Sequence, residues 1–376
     1  MKTVFLFGYY GYDNLGDDLI LESIVNTLNE QFNFKVLTYS YEKTHKVDNV
    51  VPVSRSKFTK IIREIITSDI VASGGGSLLQ DATSSKSLYF YLGLIVLGKL
   101  FRKKTIFLFN GIGPIKGNFN KKLVKWVLSK VDRIILRDHQ SKELLTELGI
   151  TKNVEVVGDA VFLNDHKVEK TYQEKASSRL VIISLRPWKN FDKTKINESI
   201  KLIRSLQSRG YLVELLPLMM PDDHKILREI AKDNNISIID FHDKQDKLFN
   251  KIESAHVLIG ERLHSLIISS ICETPFIGIE YDPKIAGYCK MVKQLNAMKT
   301  ENFNHKKVVQ SLDGLELTYK KYYEDLKIEK NKIKSDIRNC VKSIIWLIIN
   351  WLIISVIRKF KIMFDIVNIS LYNKLQ

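Results

Sequence analysis

Two Rossmann-like α/β domains facing a cleft, with an added apolar and basic helical tail, are the architecture this sequence predicts. Three observations carry that prediction. Apolar runs of strand length alternate with helical patterns almost from the first residue, the signature of βαβ units on parallel sheets. The alternation pauses once, at a polar stretch near 166–178, and then resumes. After about Asp336 it stops, and the composition turns apolar and basic.

In the first domain, residues 1–165, strands are expected near 3–8, 34–40, 69–73, 104–109, 133–137 and 154–158. Amphipathic helices fall between them, near 17–31, 58–67, 86–101, 119–130 and 138–148, with Gly149 placed as a helix C-cap. Residues 166–178 are polar and aperiodic and read as a linker. The second domain, 179–336, repeats the pattern with strands near 180–186, 211–217, 236–241, 256–260 and 276–281. Its helices are expected near 192–209, 222–233, 245–255, 263–273 and 285–296. Tandem domains of this kind bind ligands where the carboxyl ends of their strands face each other.

Residues 337–376 form the tail. Ser343 to Ile357 is nearly all apolar, flanked by Lys342 and by Arg358, Lys359 and Lys361. That run is shorter than the roughly 20 residues a bilayer span needs. Basic flanks with Trp346 and Trp351 suit a helix lying on an anionic membrane surface, through residues 341–376. The alternative is a helix that closes a core or a dimer contact.

The 376 residues suit two domains, and 45% hydrophobic with 27% charged residues excludes a disordered or low-complexity chain. Three cysteines without a Cys-x-x-Cys pair exclude a disulfide scaffold and fit a reduced compartment. The short apolar start lacks the regions of a signal peptide, so a cytoplasmic protein is expected. A net charge of +16 favours anionic partners, but no nucleic-acid-binding module is recognisable and no nucleic acid is expected.

Several turns carry chemistry. Gly8–Asp18 (GYYGYDNLGDD) follows a strand and precedes a helix; its glycines allow close approach, and its acids would repel a pyrophosphate but suit sugar hydroxyls. Asp13 and Asn14 lie in the turn and are the better site candidates, whereas Asp17 and Asp18 read first as acids favoured at a helix start. Ser73–Asp81 (SGGGSLLQD) is a second glycine-rich turn. Arg186 ends a strand in the second domain, and Arg262 and His264 open an apolar helix after another. Two guanidiniums at a helix N-terminus make a site for a small polyanion. A histidine at a helix start is usually a cap or a packed residue, yet beside Arg262 it is placed for proton transfer near neutral pH. Lys284 follows the next strand and adds positive charge. No metal-ligand cluster is recognisable.

Taken in order, GYYGYDNLGDD, GGGSLLQD, NGIGPIKG, LRDHQS, VVGDAVF, ISLRPW, GERLHS and EYDPK resemble the polysaccharide pyruvyl transferase family over about residues 1–300. The resemblance implies a glycosyltransferase-B-like pair of domains that moves pyruvate from phosphoenolpyruvate onto two hydroxyls of a saccharide, free or lipid-linked. A cyclic ketal forms and phosphate leaves. No cofactor is implied, phosphoenolpyruvate being a co-substrate. It implies that Arg186, Arg262, Leu263, His264 and Lys284 line the phosphoenolpyruvate pocket, and that Asp13, Asn14 and Arg137 line the acceptor side. The chemistry needs an acid for the enol carbon and a base for a hydroxyl, for which His264 and Asp13 are the candidates. A membrane-borne acceptor would suit a peripheral enzyme on the inner face of the cytoplasmic membrane.

The rival reading is a nucleotide-sugar glycosyltransferase on the same architecture, since fold alone does not set chemistry. Glu273 and Glu280 fall one residue short of the E-x7-E spacing of many retaining members. The Arg262–His264 cluster also suits a small polyanion better than a base and ribose.

Overall fold

The computed structural model describes residues 1–44, 47–82, 84–187, 191–232, 236–240 and 245–372, with backbone alone at Lys43 and over 349–372. Trp188 of the ISLRPW motif and the last residues of the expected 222–233 helix and 236–241 strand lie outside the described residues, as does 373–376.

The first half alternates β1 (Lys2–Phe7), α1 (Leu15–Leu28), β2 (Phe32–Thr38), α2 (Tyr41–Thr44), β3 (Val50–Ser54), α3 (Phe58–Ile66) and β4 (Ile70–Gly74). It continues with α4 (Ser85–Leu100), β5 (Lys104–Asn110), α5 (Asn118–Leu128), β6 (Arg133–Leu136), α6 (His139–Glu147) and β7 (Val154–Val156). A short 3-10 turn, Ala160–Leu163, and α7 (Tyr172–Ser177) lead into β8 (Leu180–Ser184). The second half runs α8 (Lys193–Ser208), β9 (Leu212–Leu215), α9 (Asp222–Ala231), β10 (Ser237–Ile238), α10 (Gln245–Glu253), β11 (Val257–Gly260) and α11 (Leu263–Ile271). Then follow β12 (Phe276–Glu280), α12 (Pro283–Met291), β13 (Leu295–Lys299), α13 (His305–Leu317) and α14 (Tyr319–Tyr372).

Each half builds an all-parallel sheet, ordered β3-β2-β1-β4-β5-β6-β7 and β10-β9-β8-β11-β12-β13. Strand order reverses beside β1 and β4 in one sheet and beside β8 and β11 in the other. Doubly wound sheets bind ligands at such switch points, outside the strand carboxyl ends. The turns after β1, β4, β8 and β11 are the ones that hold the two glycine-rich loops, Arg186, and Arg262 with His264.

Besides the short helices α2 and α7, three elements escaped the sequence reading. β3 contains Pro52, which weakens a strand signal, but it is the edge of its sheet, where a missing N–H is tolerated. β13, also an edge, is only partly buried and lacks a run of apolar residues. The third is α13, whose buried Val308, Val309, Leu312 and Leu315 pack beside the second sheet. The expected linker contains α7, fixed by a reciprocal capping box between Thr171 and Glu174 and by buried Lys175. The Lys175 ammonium donates to the carbonyls of Glu253 and Cys272.

The tail also needs correction at its start. α14 begins at Tyr319, and Ile337, Cys340, Val341, Ile344 and Ile348 are buried in a core that runs into the first domain. Gly158 lies against Ile333 and Ile337, and Lys334 donates to the Asn164 carbonyl at 3.0 Å. Residues 337–348 therefore close a protein core on one face, while Trp346 stays 69% exposed on another. Among the described residues no helix is long and apolar enough to cross a membrane.

Candidate active site

The walls of the cleft are joined at one edge. Leu15 N–H donates to the Leu218 carbonyl at 2.9 Å, and Met220 N–H donates to the Asp13 carbonyl at 2.9 Å, with Asn14 bridged to Met219. Asp13 is exposed and holds a left-handed backbone, φ 59°. Asn14 caps α1 and donates to the Asp17 carboxylate at 2.5 Å.

α1 and α11 aim their N-termini into the same space. At Gly16 a Cβ would overlap the His264 ring, so glycine is what lets α11 approach α1 here. At Gly76, with φ +70°, a Cβ would meet Asp17 Oδ1 at 2.9 Å, so the second glycine-rich turn closes over Asp17 for the same reason. The 3-10 turn after β7 supplies buried Asp159, whose Oδ2 is 3.8 Å from His264 Nε2. Arg137, 5% exposed, follows β6; its Nη1 is 3.4 Å from Asp159 Oδ2, and its Nη2 donates to Ser77 Oγ at 2.7 Å.

Burial sets the protonation states. It pushes the His264 imidazole down to about 4; Asp159 opposes this, while Arg137, Lys284 and Arg262 add to it. In the free protein His264 is therefore neutral at pH 7. Burial pushes the Asp17 carboxyl up to about 7, with Asp18 adding and Arg137 opposing, and the Asp18 carboxyl up to about 6. The sequence pattern reads both as helix-start acids; depth, which spacing does not encode, moves their titration toward neutral pH.

The second wall is cationic. The Arg186 guanidinium lies 4.1 Å from the centre of the Tyr281 ring and the Lys284 ammonium 5.1 Å from it. Burial would raise the Tyr281 phenol, but Lys284 and Arg186 bring it below its ordinary value. Arg186 is held in place through its own N–H, which donates at 2.7 Å to Glu261, a buried carboxylate also paired with Lys195. Lys284 stands at the start of α12, capped by Asp282. Arg262 departs from expectation. Its Nε and Nη2 fork is already on the Asp223 carboxylate, which is fully buried and also accepts the N–H groups of Leu218 and Met219. Leu263 is buried directly behind it.

The described residues bring together His264, Asn14, Arg137, Lys284 and Arg186 around this space, with Asp13 at its rim. Sequence reasoning gave no role to Asp17, Asp159 or Tyr281, although VVGDAVF and EYDPK hold the last two. It also missed a ladder of rings beside the first turn. Tyr9 stacks on Tyr12 at 4.1 Å, Tyr12 on Tyr39 at 4.6 Å, and Arg55 donates to Tyr12 and Tyr91. Of the E-x7-E-like pair, Glu273 is tied to Lys330 and Tyr323, and Glu280 takes the Asn296 amide.

This combination of switch-point turns in two parallel-sheet domains defines a two-domain cleft enzyme of glycosyltransferase-B-like architecture. Solved structures with the same fold include S. aureus MnaA solved with UDP, with 12% identity, a TM-score of 0.62 and coverage of 91% of this chain and 96% of that one. UDP-GlcNAc 2-epimerase from Neisseria meningitidis, bound to UDP-GlcNAc, matches with 12% identity, a TM-score of 0.60 and coverage of 91% and 100%. At such identities the likeness is one of fold. Among curated proteins, the amylovoran biosynthesis protein AmsJ of Erwinia amylovora is 27% identical over 314 residues, 74% of this chain and 73% of that one. The family profile described as polysaccharide pyruvyl transferase matches residues 14–283. The chain belongs to the polysaccharide pyruvyl transferase family, and it is an enzyme of polysaccharide pyruvylation.

Proposed function

We propose that the cleft transfers pyruvate from phosphoenolpyruvate to two hydroxyls of a saccharide, giving a cyclic ketal and inorganic phosphate. The observation that carries this reading is the meeting of a cationic wall, Arg186 and Lys284, with a neutral buried His264 and a protonatable Asp17. Phosphoenolpyruvate is a trianion at neutral pH, and its carboxylate and phosphate need cations on more than one side. Its negative charge beside His264 offsets the field of Arg137, Lys284 and Arg262, so the imidazole takes up a proton as the donor binds. The imidazolium then protonates the methylene carbon, making a methyl group and an electrophilic centre. One saccharide hydroxyl adds to that centre and gives its proton to a carboxylate. Asp17, with a carboxyl near 7, takes this role ahead of the exposed Asp13 expected from sequence. The second hydroxyl displaces phosphate, which leaves with that hydroxyl's proton. Arg137 orients Asp159 and, through it, His264.

Asp13, Asn14 and the Tyr9–Tyr12–Tyr39 ladder form the acceptor side, where rings offer flat apolar faces and polar tips to a sugar. The acceptor is read as a saccharide of a cell-surface polysaccharide or of its lipid-linked precursor. The enzyme is read as cytoplasmic and peripheral on the inner face of the cytoplasmic membrane, through residues 341–376.

Calorimetric titration tests the donor. Phosphoenolpyruvate should bind wild type, taking up protons, and Arg186→Ala with Lys284→Ala should weaken it roughly tenfold or more, the scale of a lost charge-assisted contact. Binding of a nucleotide sugar alone would overturn the reading in favour of a glycosyltransferase.

A further inference from the structure

α11 has two functional ends. His264 stands at its N-terminus in the cleft, and Glu273, just past its C-terminus, points into a different cavity about 14 Å away along the helix. That open cavity, of about 740 Å³, lies between α14 and the segment that follows the 3-10 turn. Lys330, Lys334, Arg338 and Lys342 recur every fourth residue along α14, so they share one stripe, and all four line it, joined from the other side by Lys167.

The carboxylate at the cavity does not balance these charges. Glu273 is committed to Lys330 and to the Tyr323 hydroxyl. The Lys334 ammonium donates to a carbonyl, has Asp165 nearby, and is held below its ordinary value by burial and then by Lys330 and Arg338. Arg338, Lys342 and Lys167 have no carboxylate partner among the described residues. A cavity with mutually repelling cations gains most from an anion that accepts several hydrogen bonds.

The position along α14 says where the anion comes from. Lys342 is the last member of the stripe, and the apolar run Ser343–Ile357 starts at the next residue, carrying exposed Trp346. The helix backbone continues without a break to Tyr372. An anion that reaches the stripe while its apolar part lies along the following turns is a lipid.

We propose that the cavity formed by Lys167 and the Lys330–Lys342 stripe of α14 binds the phosphate-bearing headgroup of an anionic membrane lipid, and so docks the enzyme with its cleft held clear of the bilayer. This rests on the membrane part of the reading above and is independent of the donor.

The test is co-sedimentation of the full chain with vesicles of phosphatidylcholine alone and with 30% phosphatidylglycerol. Wild type should pellet with the anionic vesicles and not the neutral ones. Arg338→Gln/Lys342→Gln, both exposed and safe for folding, should lose about thirtyfold in partitioning, as expected for two cations near a charged surface. A control pair on the same helix, Lys327→Gln/Lys332→Gln, should lose fivefold or less. Donor binding should be unchanged in all variants. Equal losses for the two pairs would overturn the proposal in favour of diffuse charge attraction, as would a cavity variant that pellets like wild type. Wild type failing to pellet would overturn it together with the membrane reading, whereas wild type that pellets but does not bind phosphoenolpyruvate would overturn only the transferase chemistry. Competition by inorganic pyrophosphate without any vesicle binding would assign the cavity to a soluble anion and overturn the lipid assignment.

Discussion

On the first domain's side of the cleft the ionisable groups after β1 and β7 are carboxyls, Asp17, Asp18 and Asp159, braced by Arg137. On the second domain's side, after β8, β11 and β12, they are Arg186, Arg262 and Lys284. Burial raises the Asp17 and Asp18 carboxyls to about 7 and about 6, the range in which a group exchanges protons near neutral pH. The cations sit on an aromatic ring or a buried carboxylate, so they are groups that hold charge in place. On the proposed mechanism opposite walls divide the work of one reaction, proton handling on one side and anion binding on the other. His264 is the exception that links them. It comes from the cationic wall, lies against Gly16 of the acidic one and, on the proposed mechanism, takes up its proton when the donor anion binds.

The largest effect should come from removing that link. His264→Ala should lower kcat by roughly a hundred- to ten-thousand-fold, the usual contribution of a positioned general acid, with donor affinity nearly kept. The same loss split differently, a raised donor KM at unchanged kcat, would make His264 part of the anion grip and erase the distinction between the walls.

How much of this could be read from the chain depends on what each feature needs. The alternation that gives two parallel sheets is local, so β1, β4, β8 and β11 and the turns after them were legible. Edge strands β3 and β13 were not, because partial burial leaves no continuous apolar run. Within the site, Arg186, His264 and Lys284 stood out because a charged residue directly after an apolar strand is unusual. Asp17 did not, because an acid in the first turn of a helix is ordinary until the loop at Gly76 is seen to cover it. Arg262 was legible as a functional-looking residue, but its partner Asp223 lies 39 positions away and nothing in the spacing announces the pair. The tail shows the same limit: its apolar residues were visible, but not that one face of 337–348 docks on the first domain.

Arg262 gives the next test, of whether the cationic wall binds substrate throughout or partly braces itself. With its fork on a carboxylate of zero exposure, Arg262→Ala should leave Asp223 charged, buried and unpaired. The expected cost is roughly 3–5 kcal/mol of stability in urea unfolding. Arg262→Ala/Asp223→Ala should recover part of it. A variant that unfolds like wild type and shows only a raised donor KM would return Arg262 to the anion site.

The smallest effect concerns the acidic wall alone and has a definite sign. The Asp17 carboxyl sits near 7 in the folded protein and at 3.8 when unfolded, so the folded state holds its proton over that interval. Its contribution to stability is complete below about pH 4 and is lost as pH rises through 7. His264 works the other way: with a folded value near 4 against 6.5, its contribution is present above pH 6.5 and is lost as pH falls through 4. Between pH 4 and 6.5 the two slopes oppose each other, and from there to about pH 7 only Asp17 still moves. Asparagine cannot ionise, so Asp17→Asn should match its pH 4 difference from wild type at low pH and gain relative to it as pH rises. The gain should level off above pH 7 at on the order of 4 kcal/mol. Thermal melts of the two proteins from pH 4 to 8 measure this directly. Parallel curves would mean that Asp17 is ionised throughout, and the carboxyl side of the cleft would then be a second charge-holding wall and no proton store.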